Sequence, residues 1–278
     1  MADIIGESGA WSEISRDLLR RGIRVSNPDG IKPMLIHLRE TFKPSVEKMT
    51  TEAADRIKLV ETIITTLRRE TGFFRGIFNW FLILRCRFSI YRITSDRDRH
   101  IEVLAENIKK LEGLQNSPEL AGAQAEHAVI DQLRHLPHDC IVFNDVRLRA
   151  TRYIRFNGVA LQSAQIDHLV LSPAGIFVIE TKEWSKSFVE SGDYHDPFDQ
   201  VARAAYLCYV TAKQFGKVQV RSIISCAGHL PAKPPDAKVK VLRIDELAGY
   251  ISWFKERALS PELFSQLKQF LGNYMSAH

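Results

Sequence analysis

Residues 165–184 read QIDHLVLSPAGIFVIETKEW. Two apolar runs flank the turn-forming Ser172-Pro173-Ala174-Gly175, yet Asp167, Glu180 and Lys182 sit inside those runs. Side chains alternate across a strand, so Ile176, Val178, Glu180 and Lys182 share one face, and Phe177, Ile179 and Thr181 share the other. If residues 172–175 form the turn, Leu171 pairs with Ile176, and counting back brings Asp167 opposite Glu180. Directly opposed Cβ atoms lie about 4.5–5.5 Å apart. Two ionised carboxylates at about 5 Å repel by about 3 kcal/mol at an effective dielectric near 20. A packed core has no use for such a pair. A divalent cation turns the repulsion into attraction, because Mg2+ prefers oxygen and takes one or two carboxylates together with waters and phosphate.

Lys182 lies about 7 Å further along the same face, within reach of the same point. The trio suits metal-assisted hydrolysis of a phosphodiester. A bound cation polarises the phosphoryl group and activates water, while an ammonium group stabilises the developing charge. The competing reading is a solvated pair at a strand end, because an E-x-K frame recurs by chance. The spaced Asp167 and the strand–turn–strand context favour the catalytic reading. Ser, Cys and His nucleophile schemes lack comparable support, since His168 and His127 each stand beside a key acid without a matching partner.

Outward from this hairpin, the order after residue 120 reads helix, three strands, helix, strand, the pattern of a mixed α/β layer structure. AQAEHAVIDQLRHL reads as a helix with Ala125, Ala128, Val129, Leu133 and Leu136 on one face. CIVFNDVRL and TRYIRFNGVALQ are of strand type, with Asn157-Gly158 as a hairpin signal. DPFDQVARAAYLCYVTAKQFG is a punctuated helix, with Asp196 as cap, Pro197 at its first position and Gly216 at its end. VRSIISCAG is a buried-type strand, KPPDAKVKVLRI a loop and a short strand, and two closing helices begin near Asp245 and at Ser260-Pro261.

Upstream, the period is helical. Val46, Ala53, Ile57, Val60, Ile64 and Leu67, and later Ile101, Leu104, Ile108 and Leu111, carry the stripe of helices packed as a hairpin or short coiled coil. Between them lies GFFRGIFNWFLILRCRFSIY, residues 72–91, with Gly72 and Gly76 as expected break points. It reads either as a buried helix or as a surface for association, with membrane contact ranked below association. Its uncharged run from Gly76 to Leu84 is shorter than the roughly 20 residues of a membrane span, and Arg75, Arg85 and Arg87 interrupt it. Two domains are therefore expected: a helical region at 1–117 and an α/β domain at 118–278.

The residues of the hairpin, ID…GIFVIETK with its preceding Gln165, resemble the nuclease-related domain (NERD) of the PD-(D/E)xK phosphodiesterase superfamily. The likeness covers about residues 120–230 and implies a restriction-endonuclease-like mixed sheet flanked by helices. It implies that Asp167, Glu180 and Lys182 are the metal-binding and catalytic set. Glu126, on the helix before the sheet, resembles an acidic residue that adds a metal ligand, and Gln200 resembles a Gln facing the site from the helix after the motif. The bland alternatives are a surface Glu and a first-turn polar residue. Gln165 is expected to border the site. Ser185-Lys186-Ser187 stand where a glycine-containing turn is common in the family, which bears on the shape of the substrate groove.

The implied activity is that of a Mg2+- or Mn2+-dependent nuclease acting on DNA rather than RNA, as endonuclease or nickase, with a place in DNA maintenance or defence. The alternative is a non-cleaving nucleic-acid scaffold. Arg147, Arg149, Arg152, Arg155, Lys186 and Arg203 are available to phosphate, contacts that carry no sequence information. The formal charge of +5 and pI near 9.0 are compatible with such a partner. Homo-oligomers or protein partners are expected through the helical region, and a membrane partner is not. The four cysteines are scattered without a C-x-x-C pair, which excludes a thiolate metal site and fits reduced thiols. The first residues carry acids and no apolar core of a secretory signal, so a cytoplasmic location is expected. No phosphate-loop motif of the Walker type is present.

Overall fold

The protein, described here by a computed structural model over residues 1–69 and 73–274, divides into two compact units. One joins residues 1–28 to 117–278; the other is residues 29–116. The expected boundary placed residues 1–28 with the helices. They pack instead on the sheet, because strand β1 (Asp3–Ile5) pairs in parallel with Ile141–Phe143. Helix α1 (Gly9–Arg20) then buries Trp11, Ile14 and Leu18.

In the helical unit, α2 (Ile31–Arg69) and α3 (Phe73–Gln115) run as an antiparallel pair, tied near their open end by a 2.6 Å ion pair between Arg39 and Glu112. Ala53, Ile64 and Leu111 of the expected stripe are buried, and Val46, Ile57, Val60, Leu67, Ile101, Leu104 and Ile108 are half-buried. This is the seam of a two-helix hairpin. Gly76 does not break α3, which runs through it without interruption. A single exposed glycine costs a helix only about 1 kcal/mol, less than the long pairing with α2 supplies. Gly72 lies outside the described residues. The reading of 76–91 as a buried helix is also overturned: Ile77, Phe78, Trp80, Phe81, Leu84, Phe88 and Tyr91 are exposed.

The sheet unit is built on a mixed sheet of six strands in the order β1 to β6. Helix α4 (Pro118–Leu133), capped by Ser117, leads into β2 (Ile141–Phe156). Next come β3 (Val159–Ser172) and β4 (Gly175–Lys182), and β2, β3 and β4 form an antiparallel meander. Asn157 and Gly158 both take positive φ, 47° and 80°, and close the first hairpin as the sequence signal requires. A short helix α5 (Lys186–Ser191) and the longer α6 (Pro197–Ala212) cross over to β5 (Val220–Cys226) and β6 (Val239–Arg243), each parallel to its neighbour. Helices α7 (Leu247–Trp253) and α8 (Pro261–Gly272) close the unit.

Both faces of the sheet are covered. On one, Leu169, Leu171, Ile176 and Val178 pack with Phe198, Val201 and Leu207 of α6 and with Leu267 and Leu271 of α8. On the other, Val170, Phe177 and Ile179 pack with Val129 and Leu133 of α4 and with Leu247 and Ile251 of α7. Burial on both sides explains why β4 reads as an unbroken apolar run until its last residues. Those last residues are the acid and the lysine.

Candidate metal and catalytic site

The turn at residues 172–175 forms as the sequence predicts. Ser172 pairs with Gly175, Leu171 with Ile176, and the register continues to His168 with Ile179. The pairing stops there, and Asp167 and Glu180 are the next residues of the two strands, close enough for the charge of one to bear on the other. Glu180 follows Ile176 and Val178 onto the face covered by α6, so the helix that seals the core also overhangs the acids. Its Oε1 accepts hydrogen bonds from Lys182 Nζ at 2.7 Å and from Gln200 Nε2 at 2.6 Å. Lys182 Nζ also donates to Gln200 Oε1 at 3.2 Å. Asp167 Oδ2 accepts from the Thr181 backbone N–H at 2.8 Å. Glu180, Lys182 and Gln200 are thus in mutual contact, and Asp167 is held at the neighbouring backbone.

Glu126 comes to the same place from α4. Asp167 and Glu126 both act on Glu180, and Asp167 acts on Glu126. Burial, followed by the charge of Asp167, pushes the Glu180 carboxyl up to about 8, against the pull of Lys182. Burial and Asp167 likewise push Glu126 up to about 7, while hydrogen bonds from Ser8 and Ala10 pull it down. Asp167 itself is raised, mainly by burial, against the Thr181 N–H and Lys182. A fold that buries and crowds three carboxylates in this way disfavours their charged forms and keeps protons on them until a counter-charge arrives.

Two contributors escape the sequence reading. The first is Asp145 on β2. Asn144 pairs with His168 and Val146 with Ile166, so Asp145 and Asp167 lie between the same two rungs, and the charge of Asp145 bears on Asp167. The buried Asp145 takes a left-handed φ of 50°. Its Oδ1 accepts from Gln165 Nε2 at 2.7 Å, and its Oδ2 lies 3.7 Å from Arg147. Gln165 therefore borders the site by holding this fourth acid. One acid from each of β2, β3 and β4 thus neighbours the next, Asp145 beside Asp167 and Asp167 beside Glu180.

The second contributor is the start of α1. Ser8 Oγ accepts from the Trp11 N–H as the helix cap and donates to Glu126 Oε2 at 2.6 Å. The Ala10 N–H reaches the same oxygen at 3.4 Å. The positive end of a helix dipole thus meets Glu126. Gly9 lies against Asp145; a Cβ there would stand 3.0 Å from its Oδ1. Ser8 ahead of Trp11, Ile14 and Leu18 is a helix-start signal visible in the sequence, although nothing in it says what the helix start would face.

His168 is a structural residue. It is fully enclosed, its Nδ1 lies 2.8 Å from Asn144 Oδ1, and burial pushes its pKa down to about 3. His127 lies 3.5 Å from Asp131 on its own helix. Arg203 pairs with Asp199, and Arg147 with Asp145. Arg149, Arg152, Arg155 and Lys186 are exposed. Ser185 caps α5, so a short helix stands where a turn is usual, and Trp184, Phe188 and Tyr194 cluster beside Lys182.

The donor set fits a hard divalent cation: every group is a carboxylate oxygen, and burial raises Asp167, Glu180 and Glu126. Such ions bind through as few as one or two carboxylates, with waters completing the shell. In the side-chain arrangement present, no three His, Cys, Asp or Glu among the described residues close into a cage, and Glu180 is engaged by Lys182 and Gln200. All four cysteines are free.

The class defined by this fold is an α/β protein with a mixed sheet, helices on both faces and an acid cluster at the end of the central strands. Residues 121–226 match the family model of the nuclease-related domain, NERD. The match takes in Glu126, Asp167, Glu180, Lys182 and Gln200, and excludes α1, β1 and the helical unit. Protein VC1899 from Vibrio cholerae, of known crystal structure, aligns at 12% identity with a TM-score of 0.27. The alignment covers 87% of this chain, which spans 57% of that protein. No curated protein matches the chain. Among the described residues no helix is long and apolar enough to cross a membrane.

Proposed function

We propose that the protein is a metal-dependent nuclease that hydrolyses phosphodiester bonds of DNA, as an endonuclease or nickase. The observation that carries this reading is the row of acids across neighbouring strands with Lys182 and Gln200 at its end. Asp167, Glu180 and Glu126 would hold Mg2+ or Mn2+, which supplies Lewis-acid polarisation of a phosphoryl oxygen and activation of water. Lys182, drawn to Glu180 in the resting arrangement, is placed to turn its ammonium toward negative charge growing on phosphorus. Gln200 holds the Glu180 carboxylate in a fixed orientation and can pass one of its hydrogen bonds to a phosphate oxygen. Asp145 and Gln165 buttress the strand that bears Asp167. The exposed Arg149, Arg152, Arg155 and Lys186 supply sequence-independent phosphate contacts.

The test is incubation of the purified chain with labelled linear, circular and single-stranded DNA and with RNA, in Mg2+ or Mn2+ and in chelator. Cleavage should require metal and be lost in Asp167→Ala and Glu180→Ala. Cleavage that survives both changes would remove the assignment. A second reading, a nucleic-acid-binding scaffold that does not cut, draws support from the engagement of Glu180 by Lys182 and Gln200. It prevails if the parent chain binds DNA but never cleaves it under any of these conditions.

A further inference from the structure

The helical unit carries a surface that the nuclease reading does not use. Ile77, Trp80, Phe81, Leu84, Phe88 and Tyr91 recur along the first half of α3 at steps of three, one, three, four and three residues. At about 100° per residue these positions fall within one stripe roughly 100° wide. Each is 42–67% exposed. On the opposite side, Asn79 is buried and donates to the Leu67 carbonyl of α2 at 2.9 Å, and Leu82, Ile83, Cys86 and Ile90 are half-buried. The apolar stripe therefore faces away from the helix pair's own seam. Arg85 and Arg92 flank it on one side and Arg87 on the other; all three are exposed, with no ion pair among the described residues. The sequence contains no Asp or Glu from residue 71 to residue 95.

We infer that this stripe docks on an anionic lipid bilayer, the helix lying flat at the interface. The charge arrangement selects the occupant. A second copy paired along the same stripe would bring two sets of unpaired arginines together with no acid between them, and like charges across an interface cost several kcal/mol. A nucleic acid would satisfy the arginines but leave Ile77, Leu84 and Phe88 against water and phosphate. The headgroup boundary of an anionic bilayer accepts both: acyl chains take the aliphatic and phenyl groups, the indole and phenol sit at the interface, and lipid phosphates meet the guanidinium groups. The stripe is about 21 Å long at 1.5 Å per residue, a length that suits a helix lying in the interface. Exposure and flanking charge thus reverse the sequence-based order, which put association first.

The test uses the full chain and vesicles of phosphatidylcholine, alone or with a minor share of phosphatidylglycerol. Co-sedimentation should be about a hundredfold stronger with the anionic vesicles, from three arginines near a charged surface, and should weaken with salt. The exposed pair Phe81→Glu and Phe88→Glu should lose at least tenfold in vesicle binding with an unchanged circular dichroism spectrum. Replacement of Arg85, Arg87 and Arg92 by Gln should abolish the preference for anionic lipid. The inference is overturned if the parent chain ignores both vesicle types, or if the Phe81→Glu, Phe88→Glu variant binds them like the parent. It is equally overturned if that variant loses duplex-DNA affinity while keeping vesicle affinity, or if its only effect is to turn a dimer into a monomer by light scattering. None of these readouts depends on nuclease activity.

Discussion

Glu180 concentrates the tension of the site: a buried carboxylate beside other acids, steadied by one lysine and one glutamine. Its pKa, raised from 4.5 to about 8, means that the folded chain holds a proton there which the unfolded chain releases. The associated stability is complete below the unfolded value and disappears as pH rises through the folded one. Glu126, raised to about 7, acts in the same direction. In chelator, the melting temperature of the parent should therefore fall between about pH 5 and pH 8.5, and Glu180→Gln should flatten that fall in a fluorimetric melt. His168, lowered to about 3, has the opposite slope but is common to parent and variant. For the reaction, Lys182→Met should reduce kcat by about a hundredfold to a thousandfold, the usual loss on removing one charge-stabilising group, with little change in DNA binding. Single-turnover cleavage and a binding isotherm check the two halves. The meeting of Asp167, Glu180 and Lys182 at one place was legible because period two and a countable turn bring these strand ends together. Asp145 was not, because it reaches the row through a left-handed backbone that a strand pattern does not announce. Nor was Ser8, which meets Glu126 across 118 residues of chain.

Among the elements, two glycines should respond to alanine with opposite signs. Gly175 closes the β3–β4 turn at a φ of 126°, and a Cβ there would meet the Gln219 carbonyl at 2.6 Å. That carbonyl also accepts the Ile176 N–H, so it has little freedom to yield. Gly175→Ala should cost about 1–3 kcal/mol or more, seen as a lower midpoint in urea and as weakened nuclease activity. Gly76 is exposed within α3, and a Cβ added there would have open space, with nothing within 4 Å, so Gly76→Ala should gain about 0.5–1 kcal/mol. Both the hairpin at Asn157-Gly158 and the cap–proline start of α6 were legible, since each rests on local turn or cap chemistry. The three-residue β1 was not: it is shorter than any detectable period and exists only because Ile141–Phe143 offer it an edge. Local signals misplaced the break at Gly76, where helix-to-helix packing outweighs the propensity of one residue.

For the whole molecule, the helical unit is an insertion. The chain leaves the sheet unit after Pro28 and returns at Ser117, and the Arg39–Glu112 ion pair shows that the two ends of the insertion run side by side. Joining residue 28 to residue 117 through a short Gly/Ser linker should leave a chain that unfolds cooperatively with the parent's sheet content. Deleting residues 1–28 should not, because it strips β1, α1 and the Ser8 contact from the acid cluster. Circular dichroism and urea melts of the two truncations distinguish the outcomes. The α/β order after residue 120 was readable as a linear pattern, whereas the return of the first 28 residues to the sheet is a long-range event that no window of sequence contains.

Strand β1 waits for a partner that begins 138 residues later, at Ile141. On the ribosome, α2 and α3 emerge in between and can zip together first, through contacts that are nearer in sequence. The opening segment must stay unpaired until the meander exists to receive it, which gives the sheet a late, high-contact-order closing step. Because Ser8 arrives with that step, the acid row acquires its final neighbour only when synthesis is well advanced, so a nascent or truncated chain would carry Asp167, Glu180 and Lys182 before their last support.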